Sequence, residues 1–331
     1  MPELPHAQTL AFTSPYDVDA LLAAQRTHAV PGIDAPEPTG ARHAPGHTEC
    51  ARTRAGRRTT ESKPVDEVTG TAQNKTAQNT TGETQDAVIE RGIRHHGRTG
   101  VLRVTFADDH VALSSSLPVD AALERRVRRW LDLDVDPTET AEQLGDDAVI
   151  GPLISKRPGL RILGHLDDLE AACFAVLGQQ VSLASARTFQ RRFVAAFATH
   201  DPATGFRHFP DAAEIAALDP ATIRDAIGLT RSRAATLHTV VTELASGLTL
   251  DGDPVSIRHR LLGLKGIGPW TADYLAVRAV GDRDAFPAGD LVLRRAMGAA
   301  DVREAMARGE AWRPRRAYAT FHLWTEHAYC V

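Results

Sequence analysis

The sequence predicts an α+β fold: a small antiparallel β-sheet with one helix, followed by a mostly α-helical bundle. Three observations carry this expectation. Strand-like apolar runs bounded by turn residues lie before residue 118, the apolar period turns helical from residue 119, and the first part is interrupted by a long stretch poor in aliphatic residues.

In the first part, Leu10-Ala11-Phe12 leads to Pro15-Tyr16-Asp17, and Val18, Leu21 and Leu22 then mark a short helix. Residues 87–93, 101–106 and 110–113 read as strands, separated by turn residues between Gly97 and Gly100 and at Asp108-Asp109. Residues 35–86 hold no Leu, Ile, Met, Phe, Trp or Tyr, and Val65 and Val68 are their only large aliphatics. They also contain the near-repeat Thr71-Ala72-Gln73-Asn74, Thr76-Ala77-Gln78-Asn79. Such a stretch buries too little apolar area to offset the entropy of ordering, so a disordered surface insert is expected. Its basic residues Arg52, Arg54, Arg57 and Arg58 read as a solvated loop.

Pro118-Val119-Asp120 opens the helical part, and Leu123, Val127 and Trp130 follow at helical spacing in 121–130. Further helices are expected at 166–177, 211–218, 220–227 and 231–244, and no strand after about residue 115. The expected division is an N-terminal small α+β domain over 1–118, carrying the 35–86 insert, and a helical domain over 119–331.

Composition narrows the function classes. Of 331 residues, 43% are hydrophobic and 24% charged, as in a soluble globular protein, with no apolar run of membrane-spanning length and no basic-then-apolar secretory start. The three cysteines, Cys50, Cys173 and Cys330, are scattered and none lies in a Cys-x-x-Cys pair. That argues against a disulfide framework and against a cysteine-ligated zinc site or iron–sulfur cluster, and fits a reducing cytoplasm. Among fourteen histidines His95-His96 is the only adjacent pair, and no carboxylate–histidine spacing points to a metal. The net charge of −4 hides a gradient: residues 255–331 carry twelve Lys/Arg against eight Asp/Glu. Phosphate contact depends on that local field, so the overall charge does not exclude DNA.

The most informative stretch is Leu261-Leu262-Gly263-Leu264-Lys265-Gly266-Ile267-Gly268-Pro269-Trp270-Thr271-Ala272-Asp273-Tyr274-Leu275. An apolar helical run stops at Gly263, Gly266 and Gly268 allow a tight turn and close approach, and Pro269 opens the next helix. The free N–H groups and the positive dipole end of that helix form an anion site suited to a DNA phosphate, with no need to read base sequence. Further on, Phe286-Pro287-Ala288-Gly289-Asp290 sets Asp290 at the head of another helix, where it also fits the role of N-cap.

A helix–hairpin–helix followed by a Gly/Pro loop and an aspartate resembles the helix–hairpin–helix (HhH-GPD) superfamily of base-excision DNA glycosylases, and within it the DNA-3-methyladenine glycosylase II family. Three further segments carry the resemblance: Ala175-Val176-Leu177-Gly178-Gln179-Gln180-Val181-Ser182, the stretch from Asp219-Pro220 to Arg233-Ala234, and Trp312 to Ala319 with His322-Leu323-Trp324. The likeness spans about 10–34 and 87–331, with the hairpin at 256–280 and a TBP-like sheet domain in front.

The resemblance implies a monofunctional glycosylase acting on double-stranded DNA with damaged bases. It would hydrolyse the N-glycosidic bond of alkylated purines and leave an abasic site. A base inside a duplex is out of reach, so the nucleotide is flipped out and Gln180 fills the gap. Trp270, Tyr274 and Trp324 would form the base pocket, since electron-rich rings attract an alkylated, cationic purine. Trp270 and Tyr274 lie four residues apart, on one helix face. Trp312 and Tyr318 read as core packing. Asp290 would be the catalytic carboxylate, stabilising positive charge on the sugar and orienting or deprotonating water. Asp273 and Asp284 are rivals by chemistry alone. Lys265, Gly266, Gly268 and Thr271 would contact DNA. Relatives with lyase activity carry a lysine where this chain has Trp270, so no Schiff base is expected. No cofactor is required on this reading; a monovalent cation on the main-chain carbonyls of Leu262, Leu264 and Ile267 is implied as an addition. No membrane partner is expected, and a monomer in the cytoplasm, associated with the nucleoid, is. The competing readings are a glycosylase for another lesion, such as a deaminated purine, and a non-catalytic DNA-binding module.

Overall fold

A computed structural model of the chain describes residues 3–35 and 87–329. Of the 35–86 insert only Ala35 is among them, so that expectation lies outside the described residues. Strand β1 (His6–Ala11) leads to helix α1 (Val18–His28), and β2 (Val88–His95), β3 (Arg98–Phe106) and β4 (His110–Ser115) complete an antiparallel sheet in the order β1-β4-β3-β2. The three expected strands are all present and longer than their apolar runs. Gly100 is not a turn residue but pairs with Ile93 inside the sheet; the turn is His96-Gly97. Strand β1 is not expected from the sequence: it lies on the sheet edge, and although its burial alternates, Leu10 is its only buried residue. The Asp17 carboxylate accepts from the N–H of Ala20 and caps α1.

Helix α2 (Ala121–Leu131) buries Leu123, Val127 and Trp130 and is capped by Asp120. Helices α3 (Pro137–Leu144) and α4 (Gly151–Lys156) were not anticipated. Helix α5 (Asp168–Leu177) starts two residues later than the apolar period suggested, because Asp167 caps it through the N–H groups of Leu169 and Glu170. Residues from Leu169 to Leu177 are all buried, so α5 is the axis around which the bundle packs. It is tied to the sheet by a buried Arg91–Glu170 ion pair of 2.5 Å.

After α6 (Leu183–Phe197) the chain makes a two-stranded ribbon, β5 (Thr199–His200) with β6 (Arg207–His208), which corrects the expectation of no strand beyond residue 115. Strands of two residues leave no periodicity to read. Helices α7 (Ala212–Ala216), α8 (Pro220–Ile227) and α9 (Arg231–Ala245) match the expected series, opened by Asp211, Asp219 and Thr230 as caps. Then come α10 (Pro254–Leu262), α11 (Pro269–Leu275) with a π turn over Ala276–Val280, α12 (Leu291–Met297), α13 (Val302–Gly309) and α14 (Arg316–His327). Helix α10 begins two residues before the expected hairpin.

One core joins the sheet residues Leu102, Val104 and Leu113 to Trp130, Phe321 and Trp324, a second surrounds α5, and a third packs Phe286, Leu293, Trp312 and Leu323. Trp324 thus belongs to a core shared by sheet and bundle, which fixes the position of its indole for the site described next. Among the described residues no helix is long and apolar enough to cross a membrane.

Candidate active site at a helix–hairpin–helix

Helix α10 ends at Leu262, and the N–H of Leu264 and of Ile267 turn back to the carbonyls of Leu261 and Leu264 at 3.0 and 3.1 Å. Gly266 sits at φ +92°, and a Cβ there would fall 1.9 Å from Oγ1 of Thr236 on α9. Backbone conformation and packing therefore both demand glycine. Ile267, 6% exposed, anchors the turn in the α5-centred core. Gly268 differs: its φ is −97° and a Cβ would meet open space. The fold does not require glycine there, whereas a ligand approaching the N-terminus of α11 would gain clearance from it. Lys265 is exposed at the tip. Thr271 is buried, and its hydroxyl accepts from Nε2 of Gln179 at 2.9 Å, so its side chain faces inward.

Gln179 was not singled out from sequence. Its Nε2 also bonds the Gly266 carbonyl at 3.1 Å, and its own carbonyl accepts from Arg233 at 2.7 Å. These bonds tie the loop after α5 to the hairpin. The next residue, Gln180, is exposed in a left-handed conformation at φ +52°. One glutamine is an anchor and its neighbour projects, a distinction that the Gln-Gln pair alone does not reveal.

Across from this loop, the N–H of Asp290 bonds the Pro287 carbonyl at 2.7 Å, closing the turn ahead of α12. The Asp290 Oδ1 accepts from the N–H of Leu293 at 2.9 Å and from Nε1 of Trp324 at 3.2 Å; Oδ2 accepts from Nε1 of Trp270 at 3.0 Å. All three donors are neutral. They fix the carboxylate in orientation without cancelling its charge, and the N-cap role coexists with these contacts. Asp273 and Asp284, by contrast, are held in ion pairs with Arg258 at 2.6 Å and Arg316 at 2.8 Å.

The rings of Trp270 and Tyr274 stack at 5.4 Å and 23°, and Tyr274 meets Trp324 at 5.9 Å. The three expected aromatics lie together, and the two tryptophans among them meet on the Asp290 carboxylate. Their arrangement departs from a simple pocket, however. A groove of about 1010 Å³ is lined by residues 178–182, 266–271 and 289–291, which brings Gln180, Trp270 and Asp290 to its walls, while Tyr274 and Trp324 pack behind Trp270. Behind Tyr274 lies Arg278, 2% exposed, bonded to the Tyr329 hydroxyl at 3.2 Å and to Nε2 of His28 at 3.3 Å. Trp312 and Tyr318 are buried away from the groove, donating to Asp147 and Asp132.

Residues 173–309 match the model of the HhH-GPD superfamily base excision DNA repair proteins, and residues 72–167 that of the AlkA N-terminal domain. Over 220 residues, 65% of this chain and 76% of the relative, the sequence is 31% identical to DNA-3-methyladenine glycosylase 2 of Escherichia coli. The chain belongs to this family. A Mycobacterium tuberculosis relative, named "Probable bifunctional transcriptional activator/DNA repair enzyme AlkA", is 40% identical over 256 residues, 73% of this chain. The match spans 51% of that relative, so this member of the DNA-3-methyladenine glycosylase 2 family corresponds to about half of it. The 3-methyladenine DNA glycosylase of Archaeoglobus fulgidus shares the fold, with a TM-score of 0.62 at 21% identity over 72% of this chain and 87% of that one.

Proposed function

We propose that this protein is a monofunctional DNA glycosylase that hydrolyses the N-glycosidic bond of alkylated purines, of the 3-methyladenine and 7-methylguanine type, in double-stranded DNA. The observation that carries this reading is the convergence of two tryptophan N–H groups on the carboxylate of Asp290 at the wall of an open groove. A DNA phosphate binds at the N-terminus of α11, where Gly268 leaves the helix end bare and exposed Lys265 adds charge. The flipped nucleotide enters the groove while Gln180 fills the gap in the stack.

The alkylated purine carries a positive charge, which the face of Trp270 attracts by about 0.5–2 kcal/mol, with Tyr274 and Trp324 supporting that ring from behind. The C1′–N bond breaks with its electron pair leaving on the base, which becomes neutral. Positive charge then builds on the sugar, where the Asp290 carboxylate stabilises it. Water adds its oxygen to C1′ and releases a proton, for which Asp290 is the acceptor at hand; an abasic site remains. The main-chain carbonyls of Leu262, Leu264 and Ile267 would, on this reading, hold a hard monovalent cation that strengthens the positive field at the hairpin. The protein acts as a monomer on nucleoid DNA in the cytoplasm on this reading.

The test is release of free bases from a panel of duplexes holding methylated or deaminated purines. Release of 3-methyladenine and 7-methylguanine supports the proposal. Release of the deaminated purine alone assigns the site to another lesion, and release of nothing removes the enzymatic reading.

A further inference from the structure

We propose that His95, His96 and Asp120 form a binding site for one divalent cation of the zinc class, joining the β2–β3 hairpin to the start of α2. Asp120 lies twenty-four residues beyond the adjacent pair His95-His96 and no motif joins them; the fold brings the carboxylate to the two rings. None of them lines the groove beside Asp290.

Neighbouring residues on a strand point to opposite faces. His95 closes β2, but His96 follows at φ +48°, a left-handed conformation that swings its ring to the same side as that of His95. Both rings then meet one carboxylate. The Nε2 of His95 lies 3.0 Å from Asp120 Oδ1, and the Nε2 of His96 lies 2.8 Å from Oδ2. The three sets of ligand atoms lie within 4.8 Å of one another. Zinc holds imidazole nitrogen and carboxylate oxygen at about 2.0–2.2 Å, so two of its ligands stand no more than about 4.3 Å apart. The two histidine–aspartate separations already satisfy this. The remaining pair, the two imidazole nitrogens, lies within 4.8 Å, so binding requires the exposed His96 ring to turn slightly toward His95.

Capping of α2 does not account for the arrangement. The N–H groups of Ala122 and Leu123 both bond Oδ1, so the cap is complete without either histidine and Oδ2 is left to His96. The nearby guanidinium of Arg126 is already engaged by Asp167 and by the carbonyls of Leu166 and Arg94. Two imidazoles and one carboxylate leave the remaining positions to water, which makes the ion a clamp between hairpin and helix that stays accessible to solvent.

The test is calorimetric titration of the chelator-treated full chain with Zn²⁺, beside His96→Ala and Asp120→Asn. His96 is on an exposed turn and Asn still caps a helix, so both variants retain the fold, as circular dichroism checks. The proposal expects one ion per wild-type chain, affinity at least about tenfold weaker in each variant, and a thermal midpoint raised by about 5 °C by saturating Zn²⁺ in the wild type only. Equal affinity in all three proteins would assign binding to other histidines and overturn the proposal, as would the absence of saturable binding to the wild type.

Discussion

The indole N–H of Trp270 donates to Oδ2 of Asp290 at 3.0 Å, so a residue that walls the groove also orients the carboxylate beside it. Replacing Trp270 with Phe keeps an aromatic face against Tyr274 but removes the donor. A hydrogen bond to a charged group contributes about 1.5–3 kcal/mol. Base release by Trp270→Phe is expected to fall by about tenfold or more, with DNA affinity unchanged. Trp270→Ala loses the ring as well and falls further. Single-turnover base release alongside a binding isotherm measures both; a Phe variant as active as wild type would mean the indole N–H does nothing for Asp290.

The two hairpin glycines are expected to behave differently. Gly266→Ala forces a side chain onto a left-handed backbone and into Thr236, and should cost about 1–3 kcal/mol of stability. Gly268→Ala meets no neighbour in the free protein, so its thermal midpoint should stay near that of wild type while DNA affinity drops. Denaturant unfolding and fluorescence anisotropy with duplex DNA separate the two effects.

These glycines also mark how far the sequence could be read. The hairpin was legible because Gly-x-Gly, Pro269 and the interrupted apolar run are local signals, and Asp290 because Pro287 and Gly289 announce a loop before a helix. The N-cap geometry that seats Asp290 follows from the same few residues. Contacts between distant segments were not legible. Trp324 comes to Asp290 from a helix thirty-four positions on, and only resemblance pointed to it. Gln179 was passed over because its partners, Gly266 and Thr271, lie across the fold. The position of Tyr274 behind Trp270 depends on ring packing, which spacing along one helix does not determine. In the fold, the capped helices at 121–131, 168–177, 220–227 and 231–245 were legible, whereas the fifteen-residue helix Leu183–Phe197 and the short ribbon of Thr199–His200 with Arg207–His208 were not, the ribbon because strands held by so few bonds leave no pattern.

Acid should weaken the fold through His322. This residue is buried in α14, and burial lowers its pKa from 6.5 to about 4. The unfolded chain therefore takes up a proton below about pH 6.5 that the folded chain refuses until about pH 4. Its contribution to stability is full above pH 6.5, declines as pH falls through that window, and levels off below pH 4, a change of roughly 3 kcal/mol. His322→Gln lacks the titrating group. The stability difference between wild type and this variant, from urea unfolding at pH 7 and at pH 4.5, should shrink at the lower pH; a constant difference would show that His322 titrates normally.

The most direct test of the central claim is the rate of base release from a methylated duplex by Asp290→Asn. Asparagine caps a helix as well as aspartate does and its carbonyl oxygen can keep the bond to Leu293, so folding and DNA binding should survive. Without the negative charge, release of 3-methyladenine should drop by at least about two orders of magnitude. Release at the wild-type rate by a folded, DNA-bound Asp290→Asn would contradict the account.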